Sequence, residues 1–434
     1  MINISVLTKV ERWEMKKNNK KDLKLLSLFS GCGGMDLGFE GDFDVLSQCV
    51  NEDIHPDWAS KKNSHWVKLP STRFKAVFAN DIMPAARAAW ISFFSARGNN
   101  DSDFMLESIV NLVKRHKKGE KIFPIADVVT GGFPCQDFSV AGKRNGFNSH
   151  KAHHGGLLKE GDEPTDENRG KLYMWMREVI NIVRPKVFIA ENVKGLVTLA
   201  DAKKIIENDF RSIGGGGYLV IDAQVLFAPD YGIPQSRERV VFIGFKKSAL
   251  NKEAIKQLLK LELSSEYAPY PIKTHGKNGD SSKPYVTVKQ ALAGLPEPEK
   301  ANDLSQKWYS RAKWYGDHCQ GQSEVDLNGL GPTIRAEHHG NIEFRRLSLK
   351  NGGRYESELK KGLKERRLTV RECARIQTFP DNFEFVRKSN GNGNEYSLSS
   401  SDGYRVVGNA VPPLLAFHVA WRLQEIWPKI FKKG

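Results

Sequence analysis

The sequence predicts an α/β fold, a doubly wound and mostly parallel sheet joined to a smaller irregular domain. Three observations carry this prediction. Short apolar runs alternate with helical stretches from Leu23 to about residue 247, the pattern of a sheet with crossover helices. The first run ends in a glycine-rich turn and the second in an acidic residue, as where α/β folds hold a nucleoside. Beyond about residue 250 the alternation stops, and Pro, Gly, Ser and Lys become frequent.

Residues 1–22 are polar and lysine-rich, a lead-in. Leu23 to Phe29 is a buried strand by its length and apolar continuity, and Ser30-Gly31-Cys32-Gly33-Gly34 follows it, with a helix from Met35 onward. Phe74 to Ala79 reads as the second strand, ending at Asn80-Asp81. The region 85–120 reads as helical, with Lys and Arg on its polar side. A strand over Ala126 to Val129 leads into Gly131-Gly132-Phe133-Pro134-Cys135, and residues 141–168 form a long polar, glycine-containing insertion expected to be mobile. Leu172 to Val183 is an amphipathic helix, Lys186 to Ala190 a strand delivering Glu191-Asn192-Val193, and a further helix covers about 200–213. Strands over Tyr218 to Leu226 and Val240 to Phe245 flank Gln235-Ser236-Arg237-Glu238-Arg239. Residues 265–285 suit a linker or an irregular segment. In 300–365 the aromatics Trp308, Tyr309, Trp314 and Tyr315 interleave with Arg335, Arg345 and Arg346. That stretch reads either as a nucleic-acid surface or as the core of a small domain. An apolar helix from Leu414 to about Trp427 closes the chain. The expected organisation is therefore 1–22 lead-in, 23–250 catalytic and cofactor-binding domain, 251–400 recognition domain, and 401–434 returning to the catalytic domain.

Composition narrows the partners. A chain of 434 residues with 40% apolar and 27% charged residues is globular, and no run approaches the ~18 apolar residues of a membrane span. The N-terminus carries no apolar signal core, so a cytoplasmic, soluble protein is expected. A net charge of +15 favours polyanions, because each neutralised phosphate releases counterions. Five cysteines, widely spaced and without a CxxC pair, argue against a disulfide framework and a zinc site. The His150, His153 and His154 cluster has no cysteine partners, and no metal is expected.

Cys135 stands on a glycine-proline turn after a strand, which is how α/β enzymes expose a nucleophile at a sheet edge; taken alone it is equally a turn holding a small residue. Its company decides. Phe29–Gly34 (FSGCGG), Gly132–Ser139 (GFPCQDFS), Arg169–Tyr173 (RGKLY), Glu191–Val193 (ENV), Gln235–Arg239 (QSRER), Arg366–Pro380 (RRLTVRECARIQTFP) and Gly408–Pro413 (GNAVPP) occur in that order. This set resembles the DNA (cytosine-5)-methyltransferase family of the bacterial restriction–modification type, over nearly the whole chain from residue 23.

The resemblance implies a fold of the S-adenosylmethionine-dependent methyltransferase type with a target-recognition domain. It implies S-adenosyl-L-methionine as cofactor, bound by Phe29, Ser30, Gly31, Cys32, Gly33 and Gly34, by Asp81 at the ribose and Ile82 over the base, and by Pro134, Asn409 and Ala410. Cys135 is the implied nucleophile toward cytosine carbon 6. Glu191 is the implied acid at ring nitrogen 3, Arg239 the contact to the carbonyl oxygen, and Arg237 a neighbour against the site or a phosphate. Double-stranded DNA is the implied partner, with a flipped base. Gln136, Ser139, Lys143 and Arg144 would contact it after the nucleophile, and Thr333, Arg335, His338, Asn341 and Arg345 in the variable region. That region resembles those of enzymes with GGNCC or GGWCC sites. A monomer is implied, near the nucleoid, paired in function with a restriction endonuclease of the same specificity. One departure stands out: the family's adenine-contacting aspartate is replaced here by Glu107-Ser108-Ile109. Three rival readings remain: a transfer-RNA cytosine methylase, a catalytically silent DNA-binding relative, and a cysteine hydrolase, although no histidine lies in a tract that reads as its base.

Overall fold

The computed structural model describes residues 21–61, 65–134, 172–198, 201–277, 283–316, 318–337, 340–389 and 396–432. Its centre is a seven-stranded sheet of β1 (Leu23–Leu28), β2 (Phe74–Asp81), β3 (Phe104–Leu106), β4 (Val128–Gly132), β5 (Val187–Val193), β6 (Tyr218–Phe227) and β7 (Glu238–Lys246), ordered β3-β2-β1-β4-β5-β7-β6. The first five strands pair in parallel, and β7 runs antiparallel to both β5 and β6. β1 and β4 are buried almost throughout and therefore read as unbroken apolar runs.

Helices α1 (Gly34–Glu40), α2 (Pro84–Phe94), α3 (Ile109–Lys117), α4 (Leu172–Val183) and α5 (Ala202–Arg211) connect these strands or follow them. One apolar cluster holds Leu25, Phe39, Trp90 and Ile189, and another holds Leu26, Val129, Met176 and Phe188. The sheet is thus covered on both faces, as the doubly wound prediction requires.

The single helical region expected over 85–120 is corrected. α2 stops at Phe94, Gly98 takes a left-handed φ of 92°, and the edge strand β3 follows before α3 begins. The physical reason is legible in Gly98-Asn99-Asn100-Asp101, a breaker run that ends a helix, with Asn100 and Asp103 forming a capping box. Between α1 and β2 lies a three-stranded antiparallel sheet of Asp44–Leu46, Ser60–Lys61 and Trp66–Lys68.

The chain after residue 250 is woven into the catalytic body. Tyr270 donates its hydroxyl to the Val241 carbonyl at 2.9 Å, within the stretch expected to be a linker. α6 (Val370–Ile376), α7 (Ser400–Asn409) and α8 (Pro413–Ile430) share the apolar cluster of β1 and α1. α8 lies so close on α1 that a Cβ at Gly38 would stand 2.3 Å from the Pro413 carbonyl oxygen and 2.5 Å from the Ala416 Cβ. A glycine is needed there for the two helices to meet.

The arginines of the Arg366–Pro380 tract are internal fasteners. Arg366 forks onto Glu372 at 2.8 Å and reaches Glu297 at 3.2 Å, Arg371 binds Asp303 at 2.6 Å, and Arg375 binds Asp381 at 2.6 Å. Burying a guanidinium is tolerable only with such partners. These three arginines are therefore committed inside the protein and are not offered to a polyanion.

His55 stacks on Trp58 at 3.9 Å, and His418 meets the Trp58 ring edge-on and donates its Nε2–H to the Tyr231 carbonyl at 3.1 Å, with His275 near enough to act on it electrostatically. Burial lowers His55 and His275 from 6.5 to about 4, and it lowers His418 too. These groups sit below their unfolded value, so the stability of keeping them neutral is full above pH 6.5 and lost as pH falls through about 4. Urea melts from pH 7 to pH 4 are expected to show a falling midpoint, and replacing His55 by Phe should flatten that fall. An unchanged slope in the variant would contradict this.

Candidate active site

The chain order reverses between β1 and β4, so the carboxyl ends of those strands open a crevice, the place where open α/β sheets bind ligands. Five loops converge there. β7 contributes from its amino end, because its antiparallel course brings Arg239 opposite Val193 at the end of β5.

Glu191 and Arg239 form the centre of this edge. Arg239 Nε lies 2.7 Å from Glu191 Oε1, and both side chains are nearly buried. Burial pushes the Glu191 carboxyl above its ordinary range, against the opposing pull of Arg239, then Arg237. Gly132, paired with Glu191 across β4 and β5, has no room for a side chain: a Cβ would stand 2.9 Å from Glu191 Oε2. Asn192 donates its amide to the Phe133 carbonyl at 3.1 Å, fixing the backbone that leads to Pro134. The tract before Cys135 is thus tied to β5. Cys135 itself lies outside the described residues, as do Gln136, Ser139, Lys143, Arg144, His338 and the 145–168 insertion.

The second half of the crevice lies at β1 and β2. Asp81 accepts from the Gly31 amide at 3.0 Å and the Met83 amide at 2.9 Å, and burial raises its pKa. Phe29 takes a left-handed φ of 52°, unusual for a bulky residue and a mark of local strain held by its surroundings. A Cβ at Gly31 would meet nothing within 4 Å, so this loop faces open space. Beside it Ile82 is 47% exposed and Leu106 42% exposed, an apolar shelf at the ends of β2 and β3. Asn409 is exposed near Met83, and Ala410 is buried next to it.

Asn80, between these groups, holds the β3 turn by donating to the Met105 and Glu107 carbonyls at 2.9 and 2.8 Å. Ser108 caps α3 through the Val110 amide, and Glu107 pairs with Arg115 at 2.5 Å.

The Cys32 side chain is buried with Sγ on the Val406 carbonyl at 3.5 Å, so it does not face the crevice. Gly33 and Gly34 are buried too. A Cβ at Gly33 would stand 2.5 Å from the Phe94 ring, and one at Gly34 2.4 Å from the Val411 carbonyl oxygen, so their smallness serves helix packing.

Arg237, expected against the site or a phosphate, is 2% exposed and acts as an internal brace: it donates to the carbonyls of Ile334, Gly408 and Ala410 at 3.0, 3.1 and 2.9 Å, and its charge also acts on Glu191. Arg345 pairs with Glu358 at 3.0 Å, and the buried Arg346 pairs with Glu297 and Glu358, so neither offers a free guanidinium to DNA. Arg335 is held by Glu343 at 3.1 Å and the Asn341 carbonyl at 2.7 Å. Thr333 is half-buried and donates to the Ser236 carbonyl at 2.7 Å. Of the aromatics, Tyr309 is buried under Arg311, whereas Tyr315 is 58% exposed.

A sheet of this strand order, with a nucleoside-type acid on β2 and a buried Glu–Arg pair at the ends of β5 and β7, defines an α/β transferase with a dinucleotide-fold type of pocket. Comparison with known proteins places it within that class. The model of the C-5 cytosine-specific DNA methylases matches residues 23–425, and the chain belongs to that family. It is 31% identical over 404 residues to the Type II methyltransferase M.BspRI of Lysinibacillus sphaericus, covering 91% of this chain and 80% of the relative. It is 30% identical over 407 residues to the Type II methyltransferase M.BsuRI of Bacillus subtilis, covering 92% and 78%. The fold is shared with a DNMT2 mutant of Spodoptera frugiperda, at a TM-score of 0.51 and 15% identity over 94% of this chain and 100% of that one. The chain is accordingly a DNA (cytosine-5-)-methyltransferase. Among the described residues no helix is long and apolar enough to cross a membrane, and no group of three or more His, Cys, Asp or Glu could hold a metal ion.

Proposed function

We propose that this enzyme methylates carbon 5 of a cytosine flipped out of a specific duplex DNA sequence, through a covalent bond from Cys135 to carbon 6. The observation that carries this reading is the Glu191–Arg239 pair at 2.7 Å, set against the Gly132–Pro134 backbone that delivers Cys135.

Thiolate addition to carbon 6 moves an electron pair toward carbon 5 and negative charge toward ring nitrogen 3. A desolvated Glu191, held toward its neutral form by burial, can give a proton to that nitrogen. Arg239, fixed by the same carboxylate, is placed to donate to the carbonyl oxygen beside it. After carbon 5 has gained the methyl group its proton passes to a base or to water, the carbon 6 to sulfur bond breaks to release the thiolate, and ring nitrogen 3 returns its proton to Glu191. A cytosine stacked in a duplex is closed to all three groups, so the base must leave the stack.

S-adenosyl-L-methionine would supply the electrophilic methyl group. The crevice fits it: the Asp81 carboxylate suits a ribose hydroxyl pair, the Ile82 and Leu106 shelf suits a purine face, and Gly31 borders open space. Phe29, Pro134 and Asn409 would close the same pocket. Ser108 stands where the family carries its adenine-contacting aspartate. Asp81→Ala is expected to weaken cofactor binding by roughly 10- to 100-fold, the scale of a lost charged hydrogen bond. It should affect DNA binding much less, and calorimetry of each ligand measures both. A larger loss toward DNA would contradict the ribose assignment.

Target recognition is assigned to the chain between Gln235–Arg239 and Arg366–Pro380, with Tyr315 exposed and Thr333 half-buried there. The biological reading is a cytoplasmic monomer that protects bacterial DNA beside a restriction endonuclease of the same specificity. The test is transfer of tritiated methyl groups to duplex DNA and to transfer RNA. Label in DNA is expected, and label only in RNA would overturn the proposal. Bisulfite sequencing of DNA from expressing cells then reads the site and the modified cytosine.

A further inference from the structure

Arg239 reaches the reacting base in the proposal above, but Gln235 and Arg237, on the same tract, point the other way into a buried polar knot. Gln235 and Gln377 are fully buried and Arg237 nearly so. Gln235 Nε2 donates to Gln377 Oε1 at 3.0 Å, and Gln235 Oε1 accepts from the Ile334 amide at 3.0 Å. Arg237 forks, one arm on the Ile334 carbonyl at 3.0 Å, the other on the carbonyls of Gly408 and Ala410 at 3.1 and 2.9 Å. Gln377 Nε2 donates to the Val407 carbonyl at 2.8 Å.

The segments so joined also touch directly. A Cβ at Gly408 would stand 2.1 Å from the Arg335 carbonyl carbon and oxygen, so the two backbones are in contact with no side chain between them. The Gly331 amide donates to the Pro234 carbonyl at 3.0 Å, which aligns the same junction.

We infer that Gln235, Arg237 and Gln377 are positioning residues that couple the cofactor segment Val407–Ala410 to the DNA-reading segment Gly331–Arg335. This rests on the function proposed above. Neither segment can shift alone without breaking bonds inside this buried knot, where each unsatisfied group is costly. Seating a ligand on one segment therefore orders the other, and the effect is reciprocal: each ligand tightens the other by one common factor.

The test uses the full-length enzyme, S-adenosylhomocysteine, and a duplex carrying the site mapped by bisulfite sequencing. For the wild type, saturating S-adenosylhomocysteine is expected to tighten duplex binding by about 5-fold or more, the usual lower range of coupling. Arg237→Lys keeps the charge but cannot span carbonyls on both segments, since an ammonium lacks the guanidinium fork. Its coupling factor should fall below about 2-fold, with each ligand still binding alone. Undiminished coupling in Arg237→Lys, or none in the wild type, overturns the inference. If Arg237→Lys does not fold, Gln377→Met, which preserves volume, serves in its place. Hydrogen exchange on the unaltered enzyme gives an independent reading: S-adenosylhomocysteine alone should protect the amides of Gly331–Arg335, and unchanged exchange there overturns the inference. Methyl transfer to DNA by the same wild-type preparation is scored separately, so a failure of the function proposal is distinguishable from a failure of the coupling.

Discussion

Glu191→Gln is expected to lower turnover on DNA by about 10²- to 10⁴-fold, the range a positioned general acid contributes. Glutamine nearly preserves the shape of the side chain and can still accept from Arg239 Nε, which in the wild type lies 2.7 Å from the carboxylate. It has no acidic proton to give to ring nitrogen 3.

A fall in activity alone would not separate this role from a structural one, because leaving Arg239 without its charge partner also has a cost. The pH profile separates them. Burial raises the Glu191 pKa, so the proton-bearing form persists above the ordinary carboxyl range and is lost as pH rises through the raised value. Wild-type activity should lose that contribution on the alkaline side, and Glu191→Gln should lack the limb altogether. The same shift has a sign for stability. A carboxyl held above its unfolded pKa contributes stability that is full below the unfolded value and lost as pH rises through the folded one. An unchanged pH profile in Glu191→Gln would remove the acid assignment.

The second large effect is expected for Cys135→Ala, which should abolish methylation and leave S-adenosylhomocysteine affinity within about 3-fold, since the cofactor is assigned to other residues and truncating one small side chain costs little. Measurable turnover by this variant in a tritium assay would defeat the nucleophile assignment. The distinction matters because the resemblance assigns the nucleophile to this one sulfur.

Much of the fold was legible because its signals are local. Apolar runs such as Leu23 to Phe29 and Val187 to Ala190 can only be buried strands, and the glycine-rich turn and Asp81 mark strand ends. The helix Leu172–Val183 was readable to the residue from its amphipathic spacing and the Arg184-Pro185 stop. The short strand Phe104–Leu106 was missed because three residues carry too little pattern, even though Gly98 and the residues after it signalled a break.

The site divides in the same way. Glu191 and Arg239 were named from their tracts, and the geometry brings them together. What sequence could not separate was a charged residue that faces a ligand from one that holds the protein together. Arg237, Arg335 and Arg345 looked alike as exposed cations, yet each is committed to carbonyls or carboxylates contributed by distant segments, as with Arg237 and Gly408. Asn80, Asn192 and Gln377 carried no such cue, because an amide's partners are set by tertiary contacts. Asn192 was the one discoverable case, through its place between Glu191 and Val193.

The central claim, a sulfur-to-carbon bond at the reacting cytosine, is tested most directly with duplex DNA carrying 5-fluorocytosine at the mapped target. Fluorine on carbon 5 cannot leave as a proton does, so the cysteine adduct cannot release its thiolate. In the presence of S-adenosyl-L-methionine, a denaturant-resistant protein–DNA complex is predicted, with peptide mapping placing the link at Cys135. Active enzyme that forms no such complex, or one linked through another residue, would contradict the account.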